Sequence, residues 1–202
     1  KKQPAYLTEN DLKYIINSYD ISSYYKRVYN MYWETGMRLR EPFKGRMDGE
    51  WLIIEPEDSK TGILREIHLQ AHHIDIIGEM QKRLKDSSKT FMNFSGYYSK
   101  LFKKVMRKMG RPHLHFHNLR DTFAIMRYLE TRDIYQVSKE LGHSTVKVTE
   151  KYTTFNTRKL EEDFPSLASN YIDREPKRFS ILPVSILPVE DNNIPFVKGT
   201  TS

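Results

Sequence analysis

Apolar residues recur along this chain with a helical period that is broken by one stretch of strand-like alternation. Thr8 followed by Asp11 forms a cap ahead of Leu12, Ile15, Ile16 and Tyr19, which share one face of an amphipathic opening helix. A second helix, Ser22 to Thr35, is dense in aromatics: Tyr24, Tyr25, Tyr29, Tyr32 and Trp33. That stripe reads as core packing in preference to base stacking. Gly36 ends the helix. From Glu50 to Leu69 the period shortens through WLIIEP, EDSKTGIL and REIHL, which predicts a hairpin.

Helical spacing returns over Ala71 to Leu84, with Ile74, Ile77, Met80 and Leu84 on one side and His72 and His73 at its start as surface or capping residues. The next helix, Gly96 to Met109, turns Leu101, Phe102, Val105 and Met109 inward, and Gly110-Arg111-Pro112 terminates it. His113, Leu114, His115, Phe116 and His117 alternate as an extended strand would. A helix begins near His117, and after LETRD another reads IYQVSKEL, stopped by Gly142 in the manner of a left-handed cap. His143 then sits at a helix end, and Ser144 is placed to cap the following helix. Beyond Tyr152, TRKLEEDFPSLASNYI reads as one more helix, interrupted or begun afresh at Pro165. From Arg174 the character changes: Ile-Leu-Pro-Val occurs twice and no helical period remains. That tail either adds a strand to a partner's sheet edge or lies disordered. The expected fold class is α+β, mainly α-helical, with a small antiparallel hairpin or sheet on one edge. One domain is expected over residues 1–172 and an extended tail over 173–202.

Composition narrows the class. A chain of 202 residues with 38% hydrophobic content can fill one sizeable core. No apolar run approaches the roughly 18 residues a membrane span needs, and KKQPAYLTEND has no signal-peptide core, so a soluble, cytoplasmic protein is expected. Zero cysteines exclude a disulfide framework and thiolate metal sites. The net charge of +7 is concentrated: between Lys100 and Tyr152 there are 12 Lys or Arg against 5 Asp or Glu, a local excess equal to that of the whole chain. Such a patch suits a polyanion, most simply a nucleic-acid backbone, although a solvated basic helix face would look the same.

The stretch His117 to Tyr152 carries the candidate chemistry. His117 and Arg120, three apart, share a helix face and can address one phosphate. His143 and Tyr152 follow at a helix end and nine residues beyond it. His-x-x-Arg, then Leu141-Gly142-His143, then the tyrosine nine residues on, resembles the signature of the tyrosine recombinases, the phage integrase family. Upstream, Thr35-Gly36-Met37-Arg38-Leu39-Arg40-Glu41 resembles that family's first arginine motif. The resemblance covers roughly residues 5 to 170 and departs from the commoner wording at Asn118, where Asp is frequent, and at Asp121, where His is frequent.

The resemblance implies the family's catalytic fold and six catalytic residues. Arg38, Arg120 and His143 would hold the non-bridging oxygens of a scissile phosphate, since guanidinium forks match phosphate oxygens. Tyr152 would attack the phosphorus to give a 3′-phosphotyrosyl link and a free 5′-hydroxyl. Lys60, at the hairpin loop, would protonate that leaving oxygen, with Arg65 as a stand-in, and His117 would accept or orient the tyrosine proton. Glu41 supports backbone or arginine geometry. The reaction implies no cofactor, neither ATP nor metal. The implied partner is double-stranded DNA, bound as a homo-oligomer, a tetramer by resemblance, with the post-Tyr152 helix as the candidate for exchange between protomers. Lys100, Lys103, Lys104, Arg107 and Lys108 of one helix, together with Arg40, Lys147 and Lys151, are the candidate DNA-contacting cations.

Site-specific recombination for integration, excision or resolution of a mobile element is the leading function. A type IB topoisomerase or telomere resolvase would use the same chemistry, and a catalytically inactive DNA-binding or architectural protein would keep only the surface. A metal-dependent nuclease on His113, His115 and His117 lacks a completing carboxylate or cysteine. Opening at KKQPAYLT without an initiator Met and without an N-terminal DNA-clamping domain, the chain reads as an excised catalytic domain.

Overall fold

The computed structural model describes residues 3–59 and 61–167. Lys60, the end of the expected last helix and the whole tail over 173–202 lie outside the described residues. Helix α1 (Glu9–Asn17) begins with the expected capping box, in which the Thr8 hydroxyl accepts from the Asp11 amide and the Asp11 carboxylate accepts from the Thr8 amide. Helix α2 (Ser23–Thr35) runs through the centre of the molecule. Val28, Tyr29, Met31 and Tyr32 are fully buried on it. Tyr29 meets Phe102 edge-on at 5.1 Å and Tyr32 meets Phe116 at 4.7 Å, so the aromatic stripe is core.

A short helix α3 (Glu41–Lys44) leads into an antiparallel sheet of β1 (Arg46–Asp48), β2 (Trp51–Ile54) and β3 (Arg65–His68), in that spatial order. Strands β2 and β3 are the expected hairpin, in register Leu52 opposite Ile67 and Ile54 opposite Arg65. Strand β1 carries no apolar alternation of its own; it is defined by pairing with β2 across the turn at Gly49. On β3 the residues that alternate inward are Arg65 and Ile67, so the pleat places an arginine in the interior.

Helix α4 (Ala71–Lys85) matches its expected span. Helix α5 (Phe91–Lys108) starts five residues before the expected Gly96, because Thr90 caps it by accepting from the Asn93 amide. Its buried face is Tyr98, Phe102 and Met106, with Val105 and Met109 only half-buried. The helix is rotated from the expected face because Tyr98 and Phe102 pack on the α2 aromatics.

Residues 113–117 are not a strand. Turns formed by the Leu114 amide on the Arg111 carbonyl and the Asn118 amide on the His115 carbonyl bury Leu114 and Phe116 and leave the three histidines exposed. Helices α6 (Asn118–Thr131) and α7 (Ile134–Leu141) follow, the latter capped by Asp133 and ended by Gly142 at φ +62°. The expected helix capped by Ser144 is instead two 3-10 turns, Val146–Val148 and Glu150–Tyr152, and the N-cap position falls on Thr145. Helix α8 (Thr157–Asp163) breaks at Phe164, and the chain is helical again from Pro165.

Gly36 is the joint between α2 and α6. It closes α2 at φ +61°, and a Cβ there would sit 2.3 Å from Cδ1 of Phe123. Replacing it combines left-handed strain with overpacking, so Gly36→Ala is expected to lose about 2–4 kcal/mol in urea unfolding. A loss under about 1 kcal/mol would mean that α6 yields freely here.

Candidate active site

The C-terminus of α7 leaves carbonyls without helical partners, at the negative end of the helix dipole. Three arginines from distant parts of the chain converge on it. Arg120 of α6 donates to the Leu141 carbonyl at 2.5 Å and to the Gly36 carbonyl at 2.6 Å. Arg65 of β3 donates from Nε and Nη2 to the Glu140 carbonyl at 3.0 and 2.8 Å. Arg38, three residues past the end of α2, reaches the Gly142 carbonyl at 3.5 Å.

Like charges at this density repel, and Glu41 answers them. Buried at the start of α3, it accepts from the Arg38 amide at 2.7 Å and from Arg38 Nη1 at 2.8 Å, and its second oxygen also takes Arg65 Nη1. The uncompensated remainder shows in Arg120, whose pKa is pushed down to about 9 by burial and then by the charges of Arg65 and Arg38; it stays cationic at neutral pH. An anion placed here would relieve that repulsion.

His143 follows the Gly142 turn, with its amide bonded back to the Ser138 carbonyl. Its Nδ1 lies 2.7 Å from the hydroxyl of fully buried Thr149. With Thr149 as donor, Nε2 carries the proton and is a hydrogen-bond donor. Burial first, then Arg120, Arg38, Lys151 and Arg65, lower its pKa to about 4, so it is neutral at pH 7. His117, at the N-cap of α6, is open to solvent and is also lowered, by partial desolvation and by Arg120, Lys151 and Arg38 against the opposing pull of Asp121.

Tyr152 is the least accessible member, 1% exposed. Its hydroxyl donates to Asp121 Oδ1 at 2.7 Å, and Lys151 Nζ reaches the same oxygen at 3.1 Å. Of the six expected catalytic residues, Arg38, His117, Arg120, His143 and Tyr152 are thus gathered around one end of α7, and Lys60 lies outside the described residues. Arg65 is a buried tether of the α7 end, which removes it as a stand-in for a mobile lysine.

Among the expected DNA-contacting cations, Lys100, Lys104, Arg107 and Lys108 lie along α5, and Arg40 and Lys147 are exposed elsewhere. Lys108 pairs with Asp20 at 2.5 Å. Lys103 donates into the carbonyls of Pro112 and Leu114, and Lys151 to Asp121, so both are engaged within the chain. Asp121 and Thr149 are partners that sequence reasoning missed: Asp121 meets Tyr152 through tertiary packing, and Thr149 meets His143 across the first 3-10 turn, six residues on.

His73 is both a cap and buried: its Nδ1 accepts from the Gln70 amide at 3.2 Å while Nε2 meets Glu34 at 2.7 Å beside exposed His72. With Nδ1 used as acceptor, Nε2 bears a proton, so the Glu34, His72, His73 trio is arranged as hydrogen bonds to a carboxylate. A cavity of about 650 Å³ lies between Trp33, Trp51, His68, Phe123 and Arg127, and the arginine cluster does not line it. A nucleic-acid backbone is met by an open array of donors, so the two need not coincide.

Truncating Glu41 to Ala leaves Arg65 buried without its carboxylate and is expected to cost about 3–5 kcal/mol in chemical denaturation. The histidine yields a pH prediction. The unfolded His143 titrates near 6.5 and the folded one near 4, so the unfolded chain binds more protons between those values. Its contribution lowers stability as pH falls from about 6.5 toward 4, and His143→Asn should flatten the melting temperature over that window. An unchanged acid slope would contradict a half-buried, neutral imidazole.

The phage integrase family model matches residues 5–159. No match was found among curated proteins. Among solved structures, the XerA recombinase is similar with a TM-score of 0.60 at 18% identity, over 88% of this chain and 67% of that one. The XerH site-specific recombinase, in a pre-cleavage complex with its difH substrate, is similar at 0.56 and 22% identity, over 87% of this chain and 56% of that one. A lambda integrase dimer bound to a COC′ core site is similar at 0.53 and 18% identity, over 75% and 48%. The chain spans about half to two thirds of these proteins, and at such identities the likeness is one of fold. The family match covers well over half of the chain, and the chain therefore belongs to the phage integrase family.

Proposed function

We propose that this chain is the catalytic part of a site-specific DNA recombinase that cuts and rejoins double-stranded DNA through a covalent 3′-phosphotyrosyl intermediate. The observation that carries this reading is the convergence of Arg38, Arg120 and His143 on the α7 end, with Tyr152 close enough for the charge of Arg120 to act on its phenol. A phosphodiester resists attack because its transition state gathers charge on oxygen and its leaving alkoxide is poor. Arg38, Arg120 and the Nε2–H of His143 stabilise the non-bridging oxygens, in a setting where burial strengthens each interaction. Because Arg120 already suffers from its neighbours, binding the anion is favoured twice.

Tyr152 attacks phosphorus, its proton passes to His117, and Lys60 protonates the departing 5′-oxygen. The phosphotyrosyl link keeps the energy of the broken bond, so a hydroxyl from another strand can reverse the step without ATP. The protein works inside the cell on DNA and acts as a homo-oligomer, a tetramer in keeping with the family; the helix after Tyr152 is the segment proposed for exchange between protomers. Among the described residues, no helix is long and apolar enough to cross a membrane.

The full-length protein, incubated in EDTA with a nicked duplex carrying its own attachment site, is expected to give a slow-migrating adduct on a denaturing gel. Tyr152→Phe should bind the same duplex and form none; an adduct in that variant would overturn the assignment. Removing one exposed cation, by Lys104→Ala or Arg107→Ala, should weaken binding across all sequences. The slope of log K against log salt should then be shallower by ~1 for each phosphate left without its cation. An unaltered slope would place the DNA on another face.

A further inference from the structure

The hydroxyl of Tyr152 is bonded to a carboxylate and to none of the three arginines. It is bonded to Asp121, which is 3% exposed and accepts from three donors: Tyr152 and Lys151 on Oδ1, and Asn118 Nδ2 on the other oxygen at 3.1 Å. Lys151 Nζ also lies 4.7 Å from the Tyr152 ring centroid, which pins the ring as well as the hydroxyl. We propose that Asp121 is a positioning residue that holds Tyr152 in a resting place, and that the nucleophile reaches phosphorus only after this hydrogen bond is broken. This rests on the proposed role of Tyr152.

Two physical arguments favour a hold over a catalytic base. An ordinary carboxylate binds a proton far more weakly than a phenolate, by roughly six pH units, so Asp121 is a poor destination for the tyrosine proton. A carboxylate against the nucleophile also repels the phosphate that the nucleophile must approach. Burial, then the charge of Asp121, then the hydrogen bond to it raise the Tyr152 pKa, and Arg120 opposes them. The charged and titratable groups that face this pair are Lys151 on the same turn, Arg120 on the same helix as Asp121, and His117 at that helix's start. Asp121 therefore keeps the phenol protonated until substrate arrives.

The test uses full-length protein with 3-fluorotyrosine at position 152, titrated by fluorine NMR without DNA, alongside adduct formation on the nicked duplex. In folded Asp121→Asn and Asp121→Ala, the Tyr152 titration should fall by about one pH unit or more, and saturated adduct formation at pH 7 should rise about tenfold. An unchanged titration in both variants, or a lowered titration accompanied by lost cleavage, would overturn the proposal; the second result would make Asp121 a participant in the reaction.

Should both variants fail to fold, the wild-type protein carries the test on intact duplex. Added phosphates alone would raise the Tyr152 titration, so a fall on DNA means release from Asp121, and a rise or no change overturns it. A wild-type protein that forms no adduct while Asp121→Asn still lowers the DNA-free titration would sink the recombinase reading and leave the Asp121 hydrogen bond standing.

Discussion

Three guanidinium groups held against the open end of one short helix are the constraint on which the site depends. The carbonyls of Glu140, Leu141 and Gly142 need donors, and Arg65, Arg120 and Arg38 supply them from a strand, a helix and a loop. Each arginine thereby ties a different element to α7. The sheet is joined through Arg65, α6 through Arg120, and the exit of α2 through Arg38, so the positions of the candidate catalytic groups and the packing of the domain are one arrangement. Glu41 makes the cluster tolerable by taking two of the three charges. With one carboxylate for three cations, the cluster retains a field that favours an anion.

The same field explains the state of the other groups. Burial and the surrounding cations leave His143 neutral at pH 7, and burial, Arg120, Lys151 and Arg38 lower the pKa of His117 against the pull of Asp121. Tyr152 is near enough to Arg120 to feel it, yet its hydroxyl is given to Asp121. The arginine cluster is thus assembled in the free protein, while the Tyr152 hydroxyl is bonded to Asp121 and to none of the three guanidinium groups. The first follows from helix capping, and the second from a single buried carboxylate.

Much of the frame was legible because it depends on local signals. Thr8 with Asp11, Gly36 and Gly142 mark helix ends by backbone chemistry alone, and the alternation around Leu52 and Ile67 identifies β2 and β3. The boundaries that shifted were decided elsewhere. The α5 helix starts early because Thr90 caps it, and its buried face is set by the α2 aromatics. The histidines of 113–117 alternate as a strand would, but Leu114 and Phe116 are buried by turns. Within the site, the spacing of His117, Arg120, His143 and Tyr152 identified the family, and Glu41 was readable from its place after Arg38. Asp121 and the inward turn of Arg65 had no local signal, since their partners lie far along the chain, and Thr149 reaches His143 only because the 3-10 turn between them folds back.

The chemistry is decided by which atom becomes joined to DNA. Trapped adduct from the full-length protein and its nicked attachment site, digested with nuclease and protease and read by tandem mass spectrometry, would identify it. The predicted product is a nucleotide joined through its 3′-phosphate to the phenolic oxygen of Tyr152. A nucleotide on any other side chain, or a 5′-phosphate linkage, would contradict the proposed attack by this tyrosine.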